Sequence, residues 1–125
     1  MLAVGVDQIE VARVKQSLGR FGQRFLKRVF TEREQRYCNG RAQSLAARFA
    51  GKEAVAKALG DGIGDVGWQE IEIVNEENGR PVLLLHGAAR EAAHKQGLDT
   101  WAISLSHTET HAIAMVVAMR TMESD

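Results

Sequence analysis

The stretch Ser44–Leu59 constrains this chain more than any other. It is alanine-rich, carries one glycine at Gly51 and closes on Gly60, which predicts a long helix with a defined stop. Its apolar stripe runs Leu45, Phe49, Ala56, Leu59. At about 100° per residue, Lys52 falls in the middle of that stripe, Glu53 at its edge and Lys57 one turn further along the same side. Charged groups beside a buried stripe are costly unless paired or put to use. The helix alone leaves two readings open. In one, Glu53 and Lys57 form an ordinary i,i+4 pair worth about 0.3–0.5 kcal/mol while Lys52 snorkels to water. In the other, the three side chains serve a site.

Around this helix the chain reads as one α+β domain spanning 1–125, since 125 residues with 45% apolar content support a single modest core. Residues 2–6 read as a short buried strand ending at Asp7. From Ile9 the period changes, with Val14, Leu18, Phe21 and Phe25 lining one helical face, and Gly19 and Gly22 bending or breaking it. Thr31-Glu32-Arg33-Glu34 is a capping-box sequence, and that helix should stop near Asn39-Gly40. After the loop GDGIGDVG, WQEIEIV alternates as a strand does. Asn78-Gly79 supplies a turn, Pro81 heads the strand VLLL, and residues 88–96 form a helix ended by Gly97. WAISLS and HAIAMVVAM complete a mainly antiparallel sheet behind grouped helices.

Composition removes several function classes. No apolar run reaches the roughly 18 residues of a membrane span, and the start MLAVGVDQIE lacks a secretory pattern. The single cysteine, Cys38, cannot form an internal disulfide, and no Cys/His set has zinc spacing. A soluble cytoplasmic protein is expected. The net charge of zero hides a split: residues 1–60 hold 12 Lys/Arg against 5 Asp/Glu, and residues 61–125 hold 4 against 11. Either the basic half meets an acidic partner, or the two halves pair with each other.

Asp7 ends an apolar stretch, where a carboxylate either caps a helix or faces a cleft. Two isolated carboxylates with neighbouring lysines suit a hydrated magnesium bridging substrate phosphates, because magnesium is held by one or two carboxylates and completes its shell with water and phosphate oxygens. Lys52, Lys57 and Arg48 could neutralise the remaining phosphate charge. Ser106 and His107 are adjacent in a strand and point to opposite faces, so they form no Ser–His relay; the histidine is better read as a donor to phosphate. GDGIG lacks the Gly-Lys-Ser/Thr ending of a Walker motif. Arg13, Arg20, Arg24 and Lys27 fall on one side of the early helix beside its apolar face. Such a surface suits an acidic helical protein better than nucleic acid, for which stacking platforms are missing.

Three runs carry a family resemblance: Gly5-Val6-Asp7 with Ile9-Glu10 and Arg13; Arg48-Phe49-Ala50-Gly51-Lys52-Glu53-Ala54 with Lys57-Ala58-Leu59-Gly60; and Ser104-Leu105-Ser106-His107-Thr108. With Trp68, Asn75 and Gly79-Arg80-Pro81 between them, they resemble the signature blocks of holo-acyl-carrier-protein synthases, 4'-phosphopantetheinyl transferases of the small trimeric type. The resemblance implies that Asp7 and Glu53 ligate Mg²⁺, that Lys57 and His107 contact phosphate, and that Arg48 and Lys52 help hold the nucleotide end of coenzyme A. It implies Arg13, Arg20 and Arg24 as the dock for acyl carrier protein, and a homotrimer with a site between subunits. The carrier serine would attack the phosphorus bonded to pantetheine and pass its proton to Glu53, directly or by way of water. Gly51 stands where alanine is common, a slight weakening of the helix, and Gln8 stands where an apolar residue is usual, which bears on packing beside Asp7. Two other readings of the residues are a magnesium-dependent hydrolase of nucleotide pyrophosphates, which would need no protein acceptor, and a non-enzymatic adaptor for acidic helical proteins.

Overall fold

Alanine and glycine let the central helix lie almost in contact with a sheet. The computed structural model describes residues 1–60 and 63–121. Strands β1 (Leu2–Glu10), β4 (Thr100–His107) and β5 (His111–Met119) form an antiparallel sheet in the order β1-β5-β4. The register pairs Leu2 with Met119 and Glu10 with His111 on one side of β5, and His107 with Ala112 on the other. The inward residues of β5 are Ala112, Ala114, Val116 and Ala118, all buried. Helix α4 (Ala42–Leu59) packs on this small-residue face and is buried on most of its circumference. Between β1 and α4 run α1 (Val11–Phe21), α2 (Gln23–Val29) and α3 (Glu32–Cys38). After α4 comes a single 3₁₀ turn at Trp68–Glu70, then the hairpin β2 (Ile71–Asn75) and β3 (Pro81–Leu85), a separate two-stranded sheet, and α5 (Gly87–Lys95).

The α+β class and the Asn78-Gly79 turn agree with the sequence reading, with local differences. The strand expected over 2–6 continues to Glu10, so Asp7 lies mid-strand opposite Ala114 and caps no helix. The early helix breaks at Gly22, whose φ of 55° lies in the left-handed region, and not at Gly19. Arg13 and Arg20 therefore stand on α1, while Arg24 and Lys27 stand on α2, so the expected single stripe is divided. The first part of WQEIEIV is a turn because Glu70 folds back: its carboxylate accepts hydrogen bonds from the Gly67 and Ala88 amides. Asp61 and Gly62 of the glycine-rich loop lie outside the described residues.

The capping box is present and does more than cap. Glu34 Oε1 accepts from the Thr31 amide at 2.9 Å and from Lys52 Nζ at 2.7 Å, and Oε2 accepts from the Ile73 amide at 2.9 Å. Lys52 Nζ also donates to the carbonyls of Trp68 (3.0 Å) and Ile71 (2.5 Å). Both side chains are fully buried. Beside them Thr31 Oγ1 donates to Glu72 Oε2 at 2.7 Å, and Arg33 Nη2 donates to Glu72 Oε1 at 2.6 Å. Burial opposes ionisation of Glu72, but hydrogen bonds from Arg33, Thr31 and His86 outweigh it and hold the carboxyl at about 2. These paired charges tie α3, α4 and the β2–β3 hairpin into one body.

Candidate active site

The geometry starts from Gly5. A Cβ there would lie 1.9 Å from the Ala54 carbonyl oxygen, so β1 approaches α4 as closely as two backbones can. Two residues along the same face, Asp7 meets the last turns of α4. Lys57 Nζ donates to Asp7 Oδ1 and to the Val6 carbonyl, each at 3.0 Å. The Asp7 side chain is one-fifth exposed and that of Lys57 more than half exposed, so the pair sits at a rim open to a ligand. Glu53, one turn before Lys57, is half-buried. Burial first, and the Asp7 carboxylate second, push Glu53 above the ordinary carboxylate range, against an opposing pull from Lys57.

The site therefore holds two carboxylates close enough to repel and one exposed cation. No group of three or more His, Cys, Asp or Glu side chains fit for a metal occurs among the described residues. A pair with open neighbours suits a hard divalent cation that keeps several water or phosphate ligands, and such a cation would relieve the repulsion that raises Glu53.

Other residues expected at the site are distributed unevenly. His107 ends β4 on the same sheet face as Asp7, but β5 lies between them: His107 is opposite Ala112, which is opposite Ile9. Its hairpin is shaped by Thr108, whose amide donates to the His111 carbonyl at 2.8 Å and whose Oγ1 accepts from the His111 amide at 3.1 Å. Arg48 precedes Glu53 by about 7.5 Å of helix rise. Its guanidinium is buried, donates through Nη2 to Asn75 Oδ1, and lies 4.4 Å from the Tyr37 ring centroid. Among the described residues its Nε has no hydrogen-bond partner. Tyr37 was not anticipated from the sequence, because it meets Arg48 only through the packing of α3 on α4.

Lys52 corrects the expectation. It neither snorkels nor holds a nucleotide, because Glu34 and two carbonyls occupy its three donors in a site without solvent. Burial lowers its pKa, with Glu34 opposing. Glu34 went unread as a partner; the signal was a capping carboxylate with lone pairs to spare. Gly51 is more than a weak point in the helix, since a Cβ there would come within 2.5 Å of Ile73 Cδ1 and 3.3 Å of Ile103 Cδ1. Gln8 faces outward and is exposed, so it leaves the packing beneath Asp7 alone. Burial pushes the Cys38 thiol up, which removes it as a nucleophile.

Arg13 and Arg20 line a concavity of about 250 Å³ with Phe21, Phe25 and Phe49; Arg24 is exposed on α2 outside that lining. On the outer face of the three-stranded sheet, Leu2, Val4, Val6, Ile113, Met115 and Met119 are all exposed.

The family model of the 4'-phosphopantetheinyl transferase superfamily matches residues 3–116. A holo-[acyl-carrier-protein] synthase of Herpetosiphon aurantiacus is 51% identical over 126 residues, covering 95% of this chain and 99% of that protein. One from Moorella thermoacetica is 49% identical over 122 residues, covering 95% and 93%. Among solved structures, the Helicobacter pylori holo-[acyl-carrier-protein] synthase in complex with coenzyme A superposes with a TM-score of 0.85 at 31% identity, covering 93% of this chain and 99% of that one. A Bacillus anthracis synthase in complex with CoA (3',5'-ADP) gives 0.77 at 30% identity, covering 95% and 96%.

Proposed function

Because this chain belongs to the holo-acyl-carrier-protein synthases of the 4'-phosphopantetheinyl transferase superfamily, we propose that its Asp7–Glu53–Lys57 cluster carries the transfer they perform. The reaction moves 4'-phosphopantetheine from coenzyme A to a serine of apo acyl carrier protein and leaves adenosine 3',5'-bisphosphate. The observation that supports the assignment is the close backbone contact at Gly5, which sets Asp7 against Glu53 with Lys57 bonded to Asp7.

Asp7 and Glu53 are the residues that would hold Mg²⁺. When bound, the ion would act as a Lewis acid on the pyrophosphate. Lys57 is free to leave Asp7 for a phosphate oxygen, since most of its side chain is exposed. Glu53, half-buried one turn before Lys57, is the residue we assign as base for the carrier serine hydroxyl. The serine oxygen bonds to the phosphorus bearing pantetheine, the bond from that phosphorus to the nucleotide oxygen breaks, and the serine proton goes to Glu53.

His107 lies two strands across the sheet from Asp7, and Arg48 is turned to Asn75 and Tyr37. The exposed apolar sheet face supports an assembly in which a second copy supplies them, and a homotrimer is the form we favour. Arg13 and Arg20, with the three phenylalanines of their groove and Arg24 nearby, are suited to an acidic, partly apolar helix of the carrier protein. We place the reaction in the cytoplasm; no helix of the described residues is long and apolar enough to cross a membrane. The hydrolase and adaptor readings have no observation in their favour.

The test is an intact mass spectrum of apo acyl carrier protein after incubation with the protein, coenzyme A and Mg²⁺. A gain of one phosphopantetheine, lost with EDTA or when the acceptor serine is alanine, is expected. Glu53→Gln should give no gain while keeping the circular dichroism of the parent. A fully active Glu53→Gln protein would remove that residue from the chemistry.

A further inference from the structure

Lys57 stands four residues after Glu53 on α4, the spacing of an ordinary intrahelical ion pair. That pair does not form. Lys57 crosses to β1 instead, where Nζ bonds Asp7 Oδ1 and the Val6 carbonyl, each at 3.0 Å. The ammonium thus sits on the carboxylate that a divalent cation at this rim would need. The two partners differ in freedom. Asp7 is mid-strand in β1, which pairs with β5 over its whole length, and its side chain is one-fifth exposed. The Lys57 side chain is more than half exposed, so it can change rotamer while the carboxylate keeps its place.

The charges at the rim do not balance. Lys57 brings one positive charge against the negative charges of Asp7 and Glu53, and among the described residues the Glu53 side chain has no ion pair or hydrogen bond of its own. The rim therefore accepts more positive charge than one ammonium supplies. A divalent cation shared by the two carboxylates balances both of them by itself. An ammonium kept on Asp7 would then be in excess, held beside a like charge. The anionic oxygens of a phosphate ligand give such a displaced donor a new partner.

We propose, building on the assignment of Asp7 and Glu53 to Mg²⁺, that Lys57 and the cation exclude one another at Asp7, so that cation loading releases Lys57 to phosphate. Lys57 then has opposite effects on its two ligands. It weakens cation binding to the free protein, and it strengthens binding of the phosphate ligand once the cation is present. A lysine that merely braced Asp7 for the metal would strengthen both.

The probe is Mn²⁺ alone, titrated into the intact protein and followed by the electron paramagnetic resonance signal of the free ion. Lys57→Met should bind it about fivefold tighter than the parent. Lys57→Gln, neutral but still a donor, should also bind it tighter. The difference should persist in about 0.5 M KCl, where a Debye length of about 4 Å screens simple repulsion between exposed charges. With Mg²⁺ present, coenzyme A titrated by calorimetry should bind Lys57→Met about tenfold more weakly than the parent. Circular dichroism should match the parent, because the replaced side chain is mostly exposed. Equal or weaker Mn²⁺ binding by either neutral variant would overturn the exchange, as would a difference abolished by salt or an unchanged affinity for coenzyme A. If neither parent nor variants bind Mn²⁺ up to about 1 mM and transfer survives EDTA, the magnesium assignment falls and the exchange falls with it. Mn²⁺ binding by the parent that the variants only match sinks the exchange alone.

Discussion

Replacing Lys52 by methionine separates a structural lysine from a ligand-binding one. Methionine keeps the length of the side chain but removes the charge and all three donors. Glu34 would then be left as a buried carboxylate that keeps the Thr31 and Ile73 amides but loses its counter-ion, and the Trp68 and Ile71 carbonyls would each lose a partner. Breaking a buried pair from one side costs about 3–5 kcal/mol, because the remaining charge stays uncompensated. At this chain length that corresponds to a melting temperature lower by roughly 10–20 °C at fixed protein concentration. The second arm is Lys52→Met/Glu34→Gln, whose carboxamide keeps an acceptor for one amide and carries no charge. The double variant should recover at least about 1 kcal/mol relative to Lys52→Met. Thermal and urea unfolding followed by circular dichroism would read both. If Lys52→Met unfolds within about 0.5 kcal/mol of the parent while its KM for coenzyme A rises, the lysine contacts nucleotide and its role as a buried structural cation is refuted.

Gly5→Ala should cost roughly 1–3 kcal/mol and lower kcat by about a hundredfold, because β1 must retreat from the Ala54 carbonyl and carries Asp7 with it; steady-state transfer assays would check this, and near-parental kcat would contradict it. The depressed Glu72 carboxyl stabilises the fold fully above about pH 4.5 and loses that contribution as pH falls through about 2. Since Arg33 is half exposed, roughly 2–3 kcal/mol is at stake, and the gap in melting temperature between the parent and Glu72→Gln should close over that window. Mixing Asp7→Ala with His107→Ala chains under subunit exchange should restore about a quarter of parental activity, the share of sites with both intact halves in a random 1:1 assembly. Activity no higher than that of either variant alone would mean the two residues do not act across subunits.

What could be read from the sequence follows from range. The α4 helix, the Thr31–Glu34 capping box, the Asn78-Gly79 turn and the stop at Gly60 each depend on residues within one or two turns of one another, and each is present. The carboxylate pair was legible because Asp7 interrupts an apolar strand and Glu53 stands beside an apolar stripe. Three of the misreadings involve distant partners. The strand runs past Asp7 because β5, a hundred residues later, supplies its hydrogen bonds. Lys52 looked like a functional cation because its partner Glu34 sits on another helix and its carbonyl acceptors belong to a segment read as strand. Tyr37 and Asn75 meet Arg48 only through tertiary packing, which no local pattern encodes.

The missing side chain at position 5 also bears on which ions such a site accepts. Because strand and helix touch main chain to main chain, the backbones that carry Asp7 and Glu53 are held at a fixed separation, and only side-chain rotation is left to adjust the gap between the two carboxylates. Were a divalent cation held there, one with metal–oxygen bonds of about 2.0–2.1 Å and one preferring about 2.3–2.6 Å would have to be met by different rotamers of the same two side chains. Any discrimination by ionic radius would then begin from a strand–helix contact that never touches the ion.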